Sequence, residues 1–83
     1  MPLHMYILLS VSNGRYYIGH TEGLRKRIQE HHNGRNASTR GRGPWELFHA
    51  EEFSSRSAAA RREREIKRMK SRAHIEEVAR ASR

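Results

Sequence analysis

The 83 residues suffice for one small domain, 1–83. A chain this size buries only about 60% of its unfolded surface, which leaves no room for a second lobe. Lys and Arg number 17 against 9 acidic residues, so the net charge is +8 and the pI is near 11.1, the balance of a chain that meets a polyanion, most simply nucleic acid. The absence of cysteine excludes disulfides, a thiolate nucleophile and a Cys-based zinc site. No apolar run approaches the roughly 20 residues of a spanning helix, and the short stretch from Met5 to Val11 runs straight into a turn rather than a cleavage site. The chain therefore reads as soluble and cytoplasmic, with no membrane contact.

In chain order, residues 4–11 are aliphatic and aromatic enough for a strand, and Asn13-Gly14 follows as a two-residue hairpin signal. Residues 15–20 form the return strand. Pairing Ser12 with Arg15 places Ser10 opposite Tyr17 and Leu8 opposite Gly19, with about four residues of strand, roughly 13 Å, between Tyr6 and Tyr17. Alternation then gives Tyr6, Leu8, Tyr17 and Gly19 one face, and Ile7, Leu9, Val11, Tyr16 and Ile18 the other. A one-residue slip would undo these faces. Gly19 leaves a shallow floor between the two phenols.

Thr21 is a candidate cap for a helix over 23–33 whose apolar stripe is Leu24 and Ile28. Arg27 and His31, one turn apart, border that stripe, while Arg25 and Lys26 point to solvent. Residues 33–44 read as a basic, glycine-bearing loop with a short helical turn around 37–40. Residues 45–53 form a third strand. Ser54 or Ser55 caps a helix from Ser57 to Met69 or Lys70, and a last helix spans Ser71–Ala81 with Ile75 and Val78 as its apolar contacts.

Tyr17-Ile18-Gly19, Arg27, His31 and, much later, Glu63 place a phenol, a guanidinium, an imidazole and a carboxylate in one small basic chain. These groups suit metal-assisted phosphodiester cleavage. A phenol orients or deprotonates water, a carboxylate holds a divalent cation, and a guanidinium meets the charge developing on phosphorus. Glu63 shares a helix face with Ala59 and Ile66, which brings it to the rim of the sheet. It also stands four residues before Lys67, the spacing of a helical ion pair. A lone carboxylate of this kind favours Mg²⁺ or Mn²⁺, and the six histidines have no convincing zinc spacing. Arg35, Arg40, Arg42, Arg61, Arg62 and Lys67 are candidate phosphate contacts, as are Arg64, Arg68 and Lys70.

Taken together, the MYIL and YYIG strands, Leu24 through Ile28 leading to His31, Thr39-Arg40 before Gly43-Pro44, Glu51-Glu52-Phe53, and Ala60 through Glu63 leading to Ile66-Lys67 resemble the GIY-YIG nucleases. The likeness is greatest to small stand-alone bacterial members similar to the N-terminal domain of the excision-repair nuclease subunit. The resemblance implies an α+β fold, a three-stranded antiparallel sheet packed with helices, and metal-dependent phosphodiester cleavage. Residue by residue it carries over to Tyr6 in the first motif, Tyr17 and Gly19 in the second, the helix arginine Arg27, His31, and Glu63 as metal ligand. The first motif keeps only its tyrosine, because His4-Met5 replaces Gly-Ile. The asparagine of larger restriction-enzyme members is missing after Lys67, and the last helix lacks a lysine- and leucine-rich ending. Both departures bear on substrate preference more than on fold.

The expectation is a DNA endonuclease, structure-selective and linked to repair or recombination, with Tyr17 or Tyr6 handling water. Tyr6, Tyr17, Arg27, His31 and Glu63 should line one concave surface. DNA is the expected partner ahead of RNA. The alternative is a non-catalytic nucleic-acid-binding module of the same fold.

Overall fold

The structure, a computed structural model, describes residues 3–33, 43–69 and 72–81. Strand β1 (Leu3–Ser10) is followed by β2 (Tyr16–Thr21), helix α1 (Leu24–His32), β3 (Trp45–Phe53), α2 (Arg56–Met69) and α3 (Arg72–Ala81). The strands form an antiparallel sheet in the order β2-β1-β3, so β1 is central and both β2 and β3 are edges. This is the expected α+β architecture. Arg35, Arg40, Arg42, Lys70 and the helical turn expected around 37–40 lie outside the described residues.

Alternation along the strands divides the apolar side chains into two cores. On one face Tyr6, Leu8 and Trp45 pack with Tyr17 and with Leu24 and Ile28 of α1. On the other, Met5, Ile7 and Ile18 pack with Ile66 of α2 and Ile75 of α3. The sheet is therefore sandwiched, with α1 on one side and α2 and α3 on the other. Met5, Ile7, Leu8 and Ile66 are fully buried, and each such side chain contributes roughly 1.5–3 kcal/mol.

The hairpin differs from the expected register. Tyr6 pairs with Gly19, Leu8 with Tyr17 and Leu9 with Tyr16, a shift of two residues. The connection is a four-residue loop over Val11–Gly14, closed by Ser10 N–H donating to the Arg15 carbonyl at 2.8 Å. Within it Gly14 takes positive φ, at 73°. The Ser10 hydroxyl accepts from Asn13 N–H at 3.3 Å, and Val11 N–H donates to the Pro44 carbonyl at 2.9 Å. These contacts hold Val11 in the loop rather than in the strand. Because the shift is even, the face assignments survive, and Tyr17 moves to within two residues of Tyr6 along the sheet.

At α1, Thr21 is not the cap. The N-cap is Gly23, and the Thr21 hydroxyl instead accepts from Gly23 N–H at 3.1 Å, shaping the turn before the helix. At α2, Ser55 Oγ accepts from Ala58 N–H at 3.2 Å, a side-chain cap that satisfies one orphan donor of the first turn.

Candidate active site

The α1 side of the sheet gathers four of the five residues expected to act together. Tyr6, from the central strand, is 2% exposed and lies across Gly19 of β2. A Cβ at Gly19 would stand 2.7 Å from the Tyr6 hydroxyl, so only glycine admits this ring. The Tyr6 hydroxyl shares a 3.1 Å hydrogen bond with His31 Nε2, and His31 is itself 1% exposed. Tyr17 completes the cluster, its ring centroid 4.7 Å from that of His31 and 6.3 Å from that of Tyr6. Trp45 closes one side, with its ring 6.3 Å from Tyr17. The Trp45 N–H also donates to His32 Nδ1 at 3.4 Å, tying the end of α1 to the start of β3.

Electrostatics separates the two tyrosines. Burial, reinforced by Tyr17, pushes the Tyr6 phenol far above its ordinary value of 10.0, and Arg27 offsets only part of this. Tyr6 therefore stays protonated at any physiological pH, which makes it an orienting partner of His31 rather than a base. His31 is held below its ordinary 6.5 by burial and then by Arg27, so its ring is neutral at neutral pH. Arg27 is held loosely by Glu30 at 3.6 Å, an exposed pair of the kind worth about 0–1 kcal/mol, so an arriving phosphate can take the guanidinium over.

Glu63 departs from the expectation of one shared concave surface. It belongs to α2, which packs on the opposite face of the sheet. There Oε1 meets His20 Nδ1 at 2.7 Å and Oε2 accepts from Lys67 Nζ at 2.7 Å. Burial raises the Glu63 carboxyl, but the hydrogen bonds from Lys67 and His20 outweigh it and hold the group below its ordinary 4.5. Its charge still reaches Tyr6, where it adds to the upward push on the phenol. A cleft of about 260 Å³ opens where β2 runs into α1, lined by His20, Gly23, Lys26, Arg27, Glu30 and Arg56 among others, so Arg27 links it to the tyrosine cluster and His20 links it to Glu63.

His20 and Arg56 are site residues that sequence reasoning missed. A histidine directly after Gly19 was the available signal for His20, since alternation turns it away from Tyr17. The expected phosphate contacts divide. Arg61 is exposed, as are Arg64 and Arg68 on the same outward stripe of α2. Arg62 instead clamps β3: its Nε donates to Glu51 Oε1 at 2.9 Å and its Nη1 to Glu65 Oε2 at 3.1 Å. Lys67 is held by Glu63. Among the described residues no group of three or more His, Asp or Glu side chains converges as a ready metal cage.

The GIY-YIG catalytic domain family matches residues 2–76 of this chain. The chain belongs to the GIY-YIG family. It is 46% identical over 67 residues to a UPF0213 protein of Halobacterium salinarum, covering 80% of this chain and 86% of that one. A UPF0213 protein of Natronomonas pharaonis is 46% identical over 65 residues, covering 77% and 76%. Among solved structures, the solution structure of a UPF0213 protein from Bacillus halodurans superposes with a TM-score of 0.61 at 36% identity, covering 98% of this chain and 85% of that one. The GIY-YIG domain is in general a nuclease fold, its members generally use divalent metal ions, and the fold implies a nucleic-acid substrate. No helix among the described residues is long and apolar enough to cross a membrane.

Proposed function

We propose that this single domain is a metal-dependent endonuclease that hydrolyses phosphodiester bonds in DNA, selecting structured substrates of the kind met in repair or recombination. The observation that supports this most is the packing of Tyr6, Tyr17 and His31 in one cluster, with Arg27 of the same helix as His31 lining a cleft that His20, bonded to Glu63, also lines. A phosphodiester lying in that cleft meets the Arg27 guanidinium, which stabilises charge as it builds on phosphorus. Tyr17 orients the attacking water, because Tyr6 is held protonated and committed to His31. The neutral His31 ring, pinned by Tyr6, supports Tyr17 in turn. Glu63 fits a cation: its two oxygens already collect an imidazole nitrogen and an ammonium. A bound Mg²⁺ or Mn²⁺ there supplies Lewis-acid polarisation of the phosphate and a water of lowered pKa.

The test is incubation of the protein with labelled single-stranded, duplex, flap and branched DNA and RNA, with Mg²⁺ or Mn²⁺ and with chelator, beside Glu63→Ala. Metal-dependent cutting of DNA that Glu63→Ala abolishes supports the reading. Tight binding with no cutting of any substrate favours the alternative, a binding module of the same fold.

A further inference from the structure

His20 is placed by its strand. It follows Gly19, and alternation turns its ring toward α2, the side it shares with Tyr16 and Ile18. There its Nδ1 lies 2.7 Å from Glu63 Oε1, with the two side chains 26% and 17% exposed. On the other oxygen, the Lys67 ammonium also stands at 2.7 Å, from a side chain that is 54% exposed. We propose that His20 Nδ1 and Glu63 are joint ligands of one divalent cation, which displaces Lys67, and that this nitrogen–oxygen pair prefers Mn²⁺ to Mg²⁺. The inference rests on the metal-dependent reading above and adds to it the second ligand, the resident competitor and the choice of cation.

Three features carry it. The carboxylate is built to hold positive charge, and Lys67 marks the place. An exposed lysine pair is worth only about 0–1 kcal/mol, so a divalent ion displaces it at little cost. The two atoms are hydrogen-bonded at 2.7 Å, and a small rotation of both side chains would open them to the span of neighbouring ligands on one octahedral ion, about 3 Å for bonds near 2.1 Å. Binding through Nδ1 requires the tautomer with the ring proton on Nε2, in exchange for the Nδ1–H that faces Glu63. One imidazole and one carboxylate leave the remaining positions to water and substrate phosphate, consistent with the absence of a three-residue cage among the described residues. Mg²⁺ prefers oxygen ligands throughout, whereas affinity for imidazole-containing sites rises from Mn²⁺ along the first transition row.

The test reads binding rather than cleavage. Mn²⁺ binding to the intact chain is followed by the loss of the free-ion electron paramagnetic resonance signal, with Mg²⁺ as competitor. The expected result is one site that His20→Ala weakens for Mn²⁺ by about tenfold or more and for Mg²⁺ hardly at all, so that the preference collapses. Glu63→Gln should abolish the site for both ions, and Lys67→Met should tighten it for both. In the unsubstituted protein, substoichiometric Mn²⁺ should broaden the His20 ring proton resonances first, a readout independent of whether any variant folds. An unchanged Mn²⁺ to Mg²⁺ ratio in His20→Ala, or His20 resonances left sharp, overturns the inference while Glu63 remains a ligand. Mn²⁺ binding that survives Glu63→Gln overturns both this inference and the metal site beneath it.

Discussion

Gly19→Ala tests the geometry at the centre of the tyrosine cluster. A Cβ there would lie 2.7 Å from the Tyr6 hydroxyl oxygen, 2.9 Å from Cζ and 3.3 Å from Cε1. Relief needs a movement of roughly 0.7 Å to restore an ordinary van der Waals contact. Tyr6 is 2% exposed, so its ring cannot swing out to solvent. A shift of that size also breaks the 3.1 Å bond to His31. Overpacking costs about 1–3 kcal/mol, and the lost hydrogen bond about 0.5–1.5 kcal/mol more. Even the low end of this range lowers Tm by roughly 6 °C in a domain of this size. Because Gly19 does not occupy the left-handed region, the effect is steric rather than conformational. The assay is thermal unfolding followed by circular dichroism, in the parent and in a Tyr6→Phe background. Tyr6→Phe removes the closest contact, so the cost of the added methyl should shrink by on the order of 1 kcal/mol. An equal cost in both backgrounds, or a melting temperature unchanged by Gly19→Ala, would refute the packing described.

Acid stability should fall in two stages. His31 has a folded pKa below its ordinary 6.5, so its stabilising contribution is complete above that pH and is lost as pH falls toward the folded value. Glu51 is raised by burial but held below 4.5 overall by hydrogen bonds from Arg62 and His49, so its contribution is present above 4.5 and lost as pH falls through its folded pKa. Urea unfolding against pH should show both stages, and His31→Gln should flatten the first. Arg62→Met should destabilise the fold by about 1–2 kcal/mol by freeing Glu51, with little change in nucleic-acid affinity. Replacing Arg61, Arg64 and Arg68 together should do the reverse, leaving Tm nearly unchanged while lowering affinity and flattening its salt dependence, as read by fluorescence anisotropy across a salt series.

Much of the fold was legible because the apolar pattern is regular. The alternation in β1 and β2 sorted Tyr6, Leu8 and Tyr17 from Ile7, Tyr16 and Ile18, and that sorting matches the two observed cores. The strand over 45–53 and the bounds of α2 and α3, to within a residue, followed from similar patterning and from the Ser55 cap. The hairpin register was not legible. Asn13-Gly14 favours a tight turn locally, but Val11 pairs with Pro44 and the Ser10 hydroxyl draws in Asn13, and these contacts decide the loop. The position of Glu63 was hidden for a related reason. A helix pattern tells which side of α2 meets the sheet, but not which face of the sheet it meets. His20 and Arg56 gain meaning only once α2 is known to lie across from α1.

The most direct test of the catalytic reading is single-turnover cleavage by Arg27→Ala, with affinity for the same DNA measured in parallel. Arg27 lines the cleft and its charge is felt at His31 and Tyr6, and as a group that acts on transition-state charge its loss should cost about a hundredfold in rate. Binding should change little, because Lys26, Arg56 and the α2 arginines remain. A cleavage rate that survives Arg27→Ala in pure protein, or one that falls only as far as affinity falls, would contradict the assignment of this cluster as the site of phosphodiester cleavage.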